Sequence, residues 1–261
     1  MNHLEVKDLQ FNYGNNLVLK DVSFEIKKGS FTSIIGPNGS GKSTLLKNLI
    51  NLYDFQFGNI LIEGKDIKQI KKKDLAKKIS LVPQDTSINY DFTVEDIVMM
   101  GRYPYKRRFE GENDYDYKIV KQSLLMTNTL DLKDRPITQI SSGERQRVVI
   151  AKALAQQSSI IILDEPTSNL DINHQIEILH LLKSLNQNQG TTVILVIHDI
   201  NLAGRYSDEI ILLHNGQILD MGKPEKVITK TNIKKTYNID VAIEKNKYTN
   251  SVYLTPLNLP S

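Results

Sequence analysis

Gly36-Pro37-Asn38-Gly39-Ser40-Gly41-Lys42-Ser43-Thr44 carries the spacing G-x-x-x-x-G-K-[ST] with no position missing. A triphosphate packs several negative charges into a small volume. A loop that wraps it must bring backbone N–H groups within hydrogen-bond reach, and Gly36, Gly39 and Gly41 are expected to leave that backbone bare. Lys42 supplies a point charge for the β- and γ-phosphates, and the Ser43 hydroxyl is a hard oxygen ligand suited to Mg²⁺. Thr44 is expected to open a helix whose positive end faces the phosphates. A second group, Asp164-Glu165, closes the apolar run Ile160–Leu163. An acid at the end of a buried strand is costly unless a cation or donor meets it. Nucleotide-bound Mg²⁺ would meet Asp164 through water, and Glu165 would activate or orient the attacking water. The plain alternative is a pair of acids capping the next helix.

These residues need elements to hold them. Ser30–Ile35 reads as a strand before the loop, and Leu45, Leu46, Leu49, Ile50 and Leu52 give a helical apolar face after it. Ile160–Leu163 and Thr191–Ile197 read as buried parallel strands, which present ligand-binding groups at their carboxyl ends. The second delivers His198-Asp199; a histidine there either is structural or reaches a γ-phosphate. Leu4–Phe11 and Val18–Ile26 read as strands around a turn at Gly14-Asn15-Asn16. Tyr13, just before that turn, either flanks it or stacks on a planar base. Gly58–Gly64 holds a short strand, and Ile79–Pro83 is a strand ending at Gln84.

From about Thr86 to Leu132 the texture is helical. Thr93-Val94-Glu95-Asp96 makes a capping box, Tyr103-Pro104-Tyr105 breaks the helix, and Asp114–Leu125 is helical again. Ser141-Ser142-Gly143-Glu144 opens a helix to about Gln156, as a capping box and as an anion-binding N-terminus. Ile176–Leu185 is an amphipathic helix. Glu209–Leu213 and Gln217–Asp220 form a hairpin turning at Asn215-Gly216. The tail from Pro224 has a short helix, then strand-like pieces around Val241–Ile243 and Val252–Leu254.

Composition sets outer limits. With 261 residues, 40% of them hydrophobic, the chain can bury a full core. A net charge of +3 gives no nucleic-acid signal. The absence of cysteine excludes a disulfide framework and a thiolate metal site. Met1 leads directly into a strand-like run, so no signal segment is expected. The apolar runs Ile160–Leu163 and Val193–Ile197 fall short of the roughly 20 residues that span a bilayer. A soluble chain is expected, reaching a membrane only through a partner. The basic stretch Lys65–Lys78, with Lys68, Lys71, Lys72, Lys73, Lys77 and Lys78, reads as a solvated face, or alternatively as a surface for anionic lipid. His3, His174, His180 and His214 show no ligand spacing or acidic partners in pattern and receive no role.

Together the motifs resemble an ABC transporter ATP-binding subunit, from about Leu4 to Pro224. Ser141-Ser-Gly-Glu-Arg-Gln-Arg147 is similar to the family signature, with Ile140 for its usual Leu and Ser142 for its first Gly. Gln84 matches the strand-ending glutamine that touches metal and water. Ser168-Asn169-Leu170-Asp171 matches the D-loop, His198 the switch histidine, and Tyr13 the aromatic that stacks on adenine. The resemblance implies an α/β fold: a P-loop NTPase core with a mostly parallel sheet, an antiparallel β subdomain and an inserted helical lobe. The core is expected over 1–85 and 157–225, the lobe over 86–156 and a tail over 226–261, together one family domain over about 4–240. It also implies ATP and Mg²⁺ as cofactors, and Glu165, His198, Gln84 and Lys42 as catalytic residues. The nucleotide is contacted by Tyr13, the loop Gly36–Thr44, Ser141, Gly143 and Asp171; the metal by Ser43, Gln84 and Asp164. Two copies are expected to close as a homodimer, each signature covering its partner's nucleotide.

Two transmembrane permease subunits are the implied partners, indirectly a substrate-binding lipoprotein, and no nucleic acid. That places the chain peripherally on the cytoplasmic face of the membrane. The segment Ser87–Tyr105 corresponds to the permease-docking surface, where Tyr90, Phe92, Tyr103 and Tyr105 either serve docking or pack the lobe. Thr93-Val-Glu-Asp96 and Gly101-Arg-Tyr-Pro104 resemble the branch serving ferric-siderophore, haem and cobalamin importers, and iron–siderophore is the expected cargo. A translation ATPase would carry tandem cassettes, and a repair ATPase a long coiled coil between loop and signature; this chain carries neither.

Overall fold

Leu4 and Val6, then Leu9 and Phe11, form the buried face of the first strand, and the step from Val6 to Leu9 breaks the two-residue period of a strand. A bulge at Asp8, with φ 51°, absorbs the break. Without it Leu9 and Phe11 would turn outward, because a slip of one residue exchanges the two faces. Ser23 holds the bulge: its hydroxyl accepts from the Asp8 N–H at 2.8 Å and donates to Asp8 Oδ1 at 3.1 Å.

The computed structural model describes residues 2–88, 90–107, 110–168 and 170–258. Asn89 of the docking segment, Asn169 of the D-loop and the last residues of the tail lie outside the described residues. The chain forms two units, one running to Ile70 and resuming at Thr192, the other being Lys71–Thr191. The first begins with strands β1 (Asn2–Tyr13), β2 (Asn16–Lys27) and β3 (Phe31–Ile35), helix α1 (Lys42–Leu49), and strands β4 (Phe57–Ile62) and β5 (Lys65–Asp66). The second supplies α2 (Lys72–Ala76), β6 (Ile79–Val82), α3 (Val94–Met99), α4 (Asp114–Met126), α5 (Ser142–Ala155), β7 (Ile160–Asp164) and α6 (Ile172–Gln189). The chain returns to the first unit with β8 (Thr192–Val196), α7 (Ile200–Tyr206), β9 (Glu209–His214), β10 (Gln217–Gly222), α8 (Pro224–Val227), α9 (Lys230–Tyr237), β11 (Asp240–Lys245) and β12 (Val252–Asn258).

In the first unit an antiparallel sheet runs β2-β1-β4-β5, and a second group runs β10-β9-β3-β8. There β3 lies parallel to both β8 and β9, and every residue of Phe31–Ile35 is buried, as a strand covered on both faces requires. In the second unit β6 and β7 pair in parallel, Val82 facing Leu163. The lobe of that unit packs α3, α4 and α5 around Val98, Val120, Leu124, Val148 and Ala151. Each such fully buried valine or leucine side chain contributes about 1.5–3 kcal/mol. Capping boxes start all three helices, at Thr93/Asp96, Asn113/Asp116 and Ser141/Glu144. The architecture is the expected α/β one, with parallel strands, an antiparallel sheet and a helical lobe inserted in the chain.

Some boundaries differ from expectation. Helix α1 opens at Lys42, not Thr44, because Gly41 in the left-handed region is its N-cap. Helix α6 runs four residues beyond each expected end. Asp171 caps its start, accepting from His174 N–H, and Gly190 at φ 67° ends it. Pro104 sits inside a 3₁₀ turn, Met100–Tyr105, that follows α3. Arg102 of that turn is buried, with Nε donating to Asp116 Oδ1 at 2.9 Å and Nη1 donating to Ala155 O at 2.7 Å. The Tyr105 hydroxyl donates to Gln156 O at 2.9 Å, which ties this aromatic to the lobe, although it is exposed like Tyr90, Phe92 and Tyr103. Lys68 is not merely solvated: its Nζ lies 3.9 Å from the centre of the Phe55 ring and donates to Phe55 O.

Candidate nucleotide site

The phosphate loop of the first unit leaves β3 at Gly36 and enters α1 at Lys42. The glycines serve different ends. A Cβ on Gly36 would fall 2.1 Å from the Leu213 carbonyl oxygen, so this position is bare because β9 passes there. A Cβ on Gly39 would meet nothing within 4 Å, which leaves that backbone open to a ligand. At Gly36 the packing of β9 adds a second requirement for glycine beside the expected phosphate approach. Asn38 and Gly39 are exposed, Pro37 is half-buried and Ser40 is buried. Among the described residues the Ser40 hydroxyl oxygen has no hydrogen-bond partner, a costly state that an incoming anion would relieve. Lys42 is buried, and its Nζ donates to Gly36 O at 2.9 Å and Pro37 O at 3.0 Å. Ser43 and Thr44, both half-buried, follow in the first turn of α1.

Two supports of this loop escaped the sequence reading. The first is the Asn215-Gly216 turn. The Gly216 N–H donates to Ser40 O at 3.1 Å, and Gly216 O accepts from Lys20 N–H at 2.8 Å. A Cβ there would fall 2.1 Å from Val18 O, so only glycine lets the turn press between β2 and the loop. The dipeptide was legible as a turn; what it touches was not. The second support is Tyr237, at the end of α9. Burial pushes the pKa of its hydroxyl up to about 12, and the nearby Gly36 amide pulls it down in part.

Tyr13 is about half exposed, and its ring meets Phe11 edge-on at 4.9 Å and Tyr53 edge-on at 5.6 Å. Tyr53 stacks on Phe11 at 5.2 Å. Burial, then a hydrogen bond with Tyr53, raises the Tyr13 pKa, and the same hydrogen bond lowers that of Tyr53. The Thr44 side chain lowers the Tyr13 pKa in part, so the Tyr13 hydroxyl stands beside the end of the phosphate loop. His198 is exposed in the bend after β8, at the carboxyl end of a parallel strand, as expected. Asp199 is the N-cap of α7, accepting from Asn201 N–H at 2.8 Å and Leu202 N–H at 3.0 Å.

In the second unit, the parallel pairing of β6 and β7 brings Gln84 to Glu165. Gln84 Nε2 donates to Glu165 Oε2 at 2.6 Å. Asp164, buried, ends β7. Glu165 turns the chain with φ 50°, unusual for a residue with a side chain. Ser168 secures the turn, its N–H and its hydroxyl both donating to Glu165 O, at 3.1 and 2.8 Å. Ser141 exchanges hydrogen bonds with Glu144: its hydroxyl donates to Glu144 Oε2 at 2.7 Å and accepts from Glu144 N–H at 3.2 Å. These bonds hold the Glu144 carboxyl below the ordinary range. Gly143 is buried, and a Cβ on it would stand 3.7 Å from Leu170 Cδ2. Ser142 is exposed. Asp171 also accepts from His174 Nδ1 at 2.8 Å, an acidic partner the spacing did not signal.

Taken unit by unit, the residues are of the type Mg²⁺ takes: Ser43 of the first unit and Gln84 and Asp164 of the second each carry a hard oxygen. No group of three or more His, Cys, Asp or Glu side chains among the described residues could cage a metal alone. Among the described residues no helix is long and apolar enough to cross a membrane.

Comparison with known proteins gives a consistent picture. The family model described as ABC transporter matches residues 19–168. The iron(3+)-hydroxamate import ATP-binding protein FhuC of Bacillus subtilis (strain 168) is 40% identical over 250 residues, 96% of this chain and 93% of that protein. A putative metal-chelate type ABC transporter, solved in an inward-facing conformation, superposes with TM-score 0.87 at 30% identity, covering 99% of this chain and 98% of that one. A dimeric ATP-binding cassette in a post-hydrolysis state, bound to ADP and Pi, superposes with TM-score 0.75 at 33% identity, covering 85% of this chain and 98% of that one.

Proposed function

The chain belongs to the ABC transporter family as an ATP-binding subunit, and from that premise we propose that it hydrolyses ATP to drive import of an iron(III)–siderophore complex through separate permease subunits. The observation that carries the reading is the Gln84–Glu165 hydrogen bond of 2.6 Å at the carboxyl ends of two parallel strands, in a chain with a complete phosphate loop. In this reading Lys42 and the amides of Gly36–Thr44 bind the β- and γ-phosphates, and Tyr13 stacks on the adenine. Ser43 and Gln84, with Asp164 through water, would hold Mg²⁺, which would supply positive charge against the phosphates. Glu165 takes a proton from the attacking water, with Gln84 orienting its carboxylate. His198 reaches the γ-phosphate.

A second copy supplies Ser141, Gly143 and Asp171, so ATP joins two copies and its cleavage releases them. The core would comprise 1–85 and 157–225, the lobe 86–156 and the tail 226–261. The subunit would sit peripherally on the cytoplasmic face of the membrane, against two permease subunits fed by a substrate-binding lipoprotein. The similarity to FhuC, named for import of iron(3+)-hydroxamate, supports a ferric siderophore as cargo.

The test is reconstitution with the permease and lipoprotein in vesicles, supplied with ferric siderophore, haem or cobalamin in parallel. ATP-dependent uptake of the ferric siderophore is expected. Uptake of haem or cobalamin alone would move the cargo, and uptake of none would refute import.

A further inference from the structure

The C-terminal hairpin reaches the helix that follows His198. The Asn201 amide lies against β12 as an added rung: Leu254 N–H donates to Asn201 Oδ1 at 2.7 Å, and Asn201 Nδ2 donates to Leu254 O at 3.1 Å. One turn later α7 presses so closely on the same strand that a Cβ on Gly204 would fall 2.9 Å from Val252 Cγ1 and 3.1 Å from Val252 O. Val252 and Leu254 are buried. Helix α7 has seven residues, too few to hold a helical form unaided. Its placement therefore depends on what grips it. Asp199 caps its start, the hairpin holds its middle, and after its end the Ser207 hydroxyl donates to Ser33 Oγ of β3 at 2.6 Å.

His198 stands between two anchors. On one side β8 lies in a parallel pair with β3; on the other the direction of α7 is set by the hairpin. The family match ends at residue 168, so this grip lies outside the matched segment. We propose that Asn201, through its paired hydrogen bonds to Leu254, is a positioning residue for His198, and that the β11–β12 hairpin is its brace. The proposal rests on the reading of His198 given above. A displaced catalytic group loses rate rather than ground-state affinity, and a misplacement of about 1 Å can cost on the order of a hundredfold.

The test is a double-mutant cycle in the purified chain. Asn201→Ala is compared in the native and the His198→Ala backgrounds, with kcat and KM for ATP and thermal unfolding measured for each. Asn201→Asp, which keeps the bond from Leu254 N–H and loses the donor, serves if the alanine variant folds poorly. Asn201→Ala is expected to lower kcat by ~10-fold with KM changed less than ~2-fold, and to lower it no further once His198 is alanine. Equal losses in both backgrounds, or no loss in either, would overturn the brace. Full turnover by His198→Ala alone would overturn the role of His198 itself, and the brace with it.

Discussion

Lys42 Nζ donates to the carbonyls of Gly36 and Pro37, so two of its three donors are spent within its own loop. Phosphate oxygens carry full charge and accept more strongly than carbonyls, so binding ATP redirects an ammonium that is already in place. Lys42→Ala is expected to weaken ATP binding by at least ~10-fold, the equivalent of about 1.5 kcal/mol for a charge-assisted bond. Calorimetry showing unchanged binding would remove Lys42 from the site. Glu144 makes a prediction about pH. Ser141 holds its folded-state pKa below the ordinary value, so the stabilisation is complete above about 4.3 and is lost as pH falls through the folded value. Protection from amide exchange at Ser141 and Glu144, taken relative to the intrinsic rate at each pH, should therefore fall on acidification. Glu144→Gln, which does not titrate, should flatten that dependence; an equally steep response in the variant would exclude the carboxylate as its source. The loop, the Asp164-Glu165 pair and these caps were legible because each is a short run of fixed residue types. Tyr237 and Asn201 were not, because each acts on backbone dozens of residues away, and neither tyrosine nor asparagine announces that by type.

Among the elements, the strands were legible where burial follows a period and less so where backbone geometry resets it. The bulge at Asp8 is the clearest example: Leu4, Val6, Leu9 and Phe11 read as one strand, while the shift between them shows only in the pairing with β2. In the sequence Tyr103-Pro104-Tyr105 marks a break after α3, but the structural centre of this 3₁₀ turn is Arg102. That guanidinium ties the turn to α4 through Asp116 and to the end of α5 through Ala155. Burying a cation this deeply costs solvation that its partners must offset. Removing one member leaves the other charge buried alone, so Arg102→Ala should destabilise the chain by about 3–5 kcal/mol in urea unfolding. A loss below about 1 kcal/mol would mean that Asp116 finds water or another donor. Sequence signalled Gly101-Arg-Tyr-Pro as a resemblance; the physical reason for the arginine needed the fold.

As a whole molecule, the chain carries one phosphate loop and one Ser141 helix start. Asp171 and Ser141 already serve local ends here, capping α6 and α5, and both remain exposed at those helix starts. A second copy can therefore use the free amides of the Ser141 turn without unmaking either helix. ATP bound in one copy would then be the main adhesive between copies, and the dimer would last only as long as the terminal phosphate stays attached. Glu165→Gln separates joining from cleavage. An amide oxygen at this position can still accept from Gln84 Nε2, but the side chain can no longer take a proton from water. Turnover should fall by on the order of a hundredfold or more, while the dimer accumulates with ATP and dissociates with ADP. Sedimentation of this variant at saturating ATP reads the result directly: a mass that remains that of one chain would show that the nucleotide does not join two copies, and the composite site would have to be abandoned.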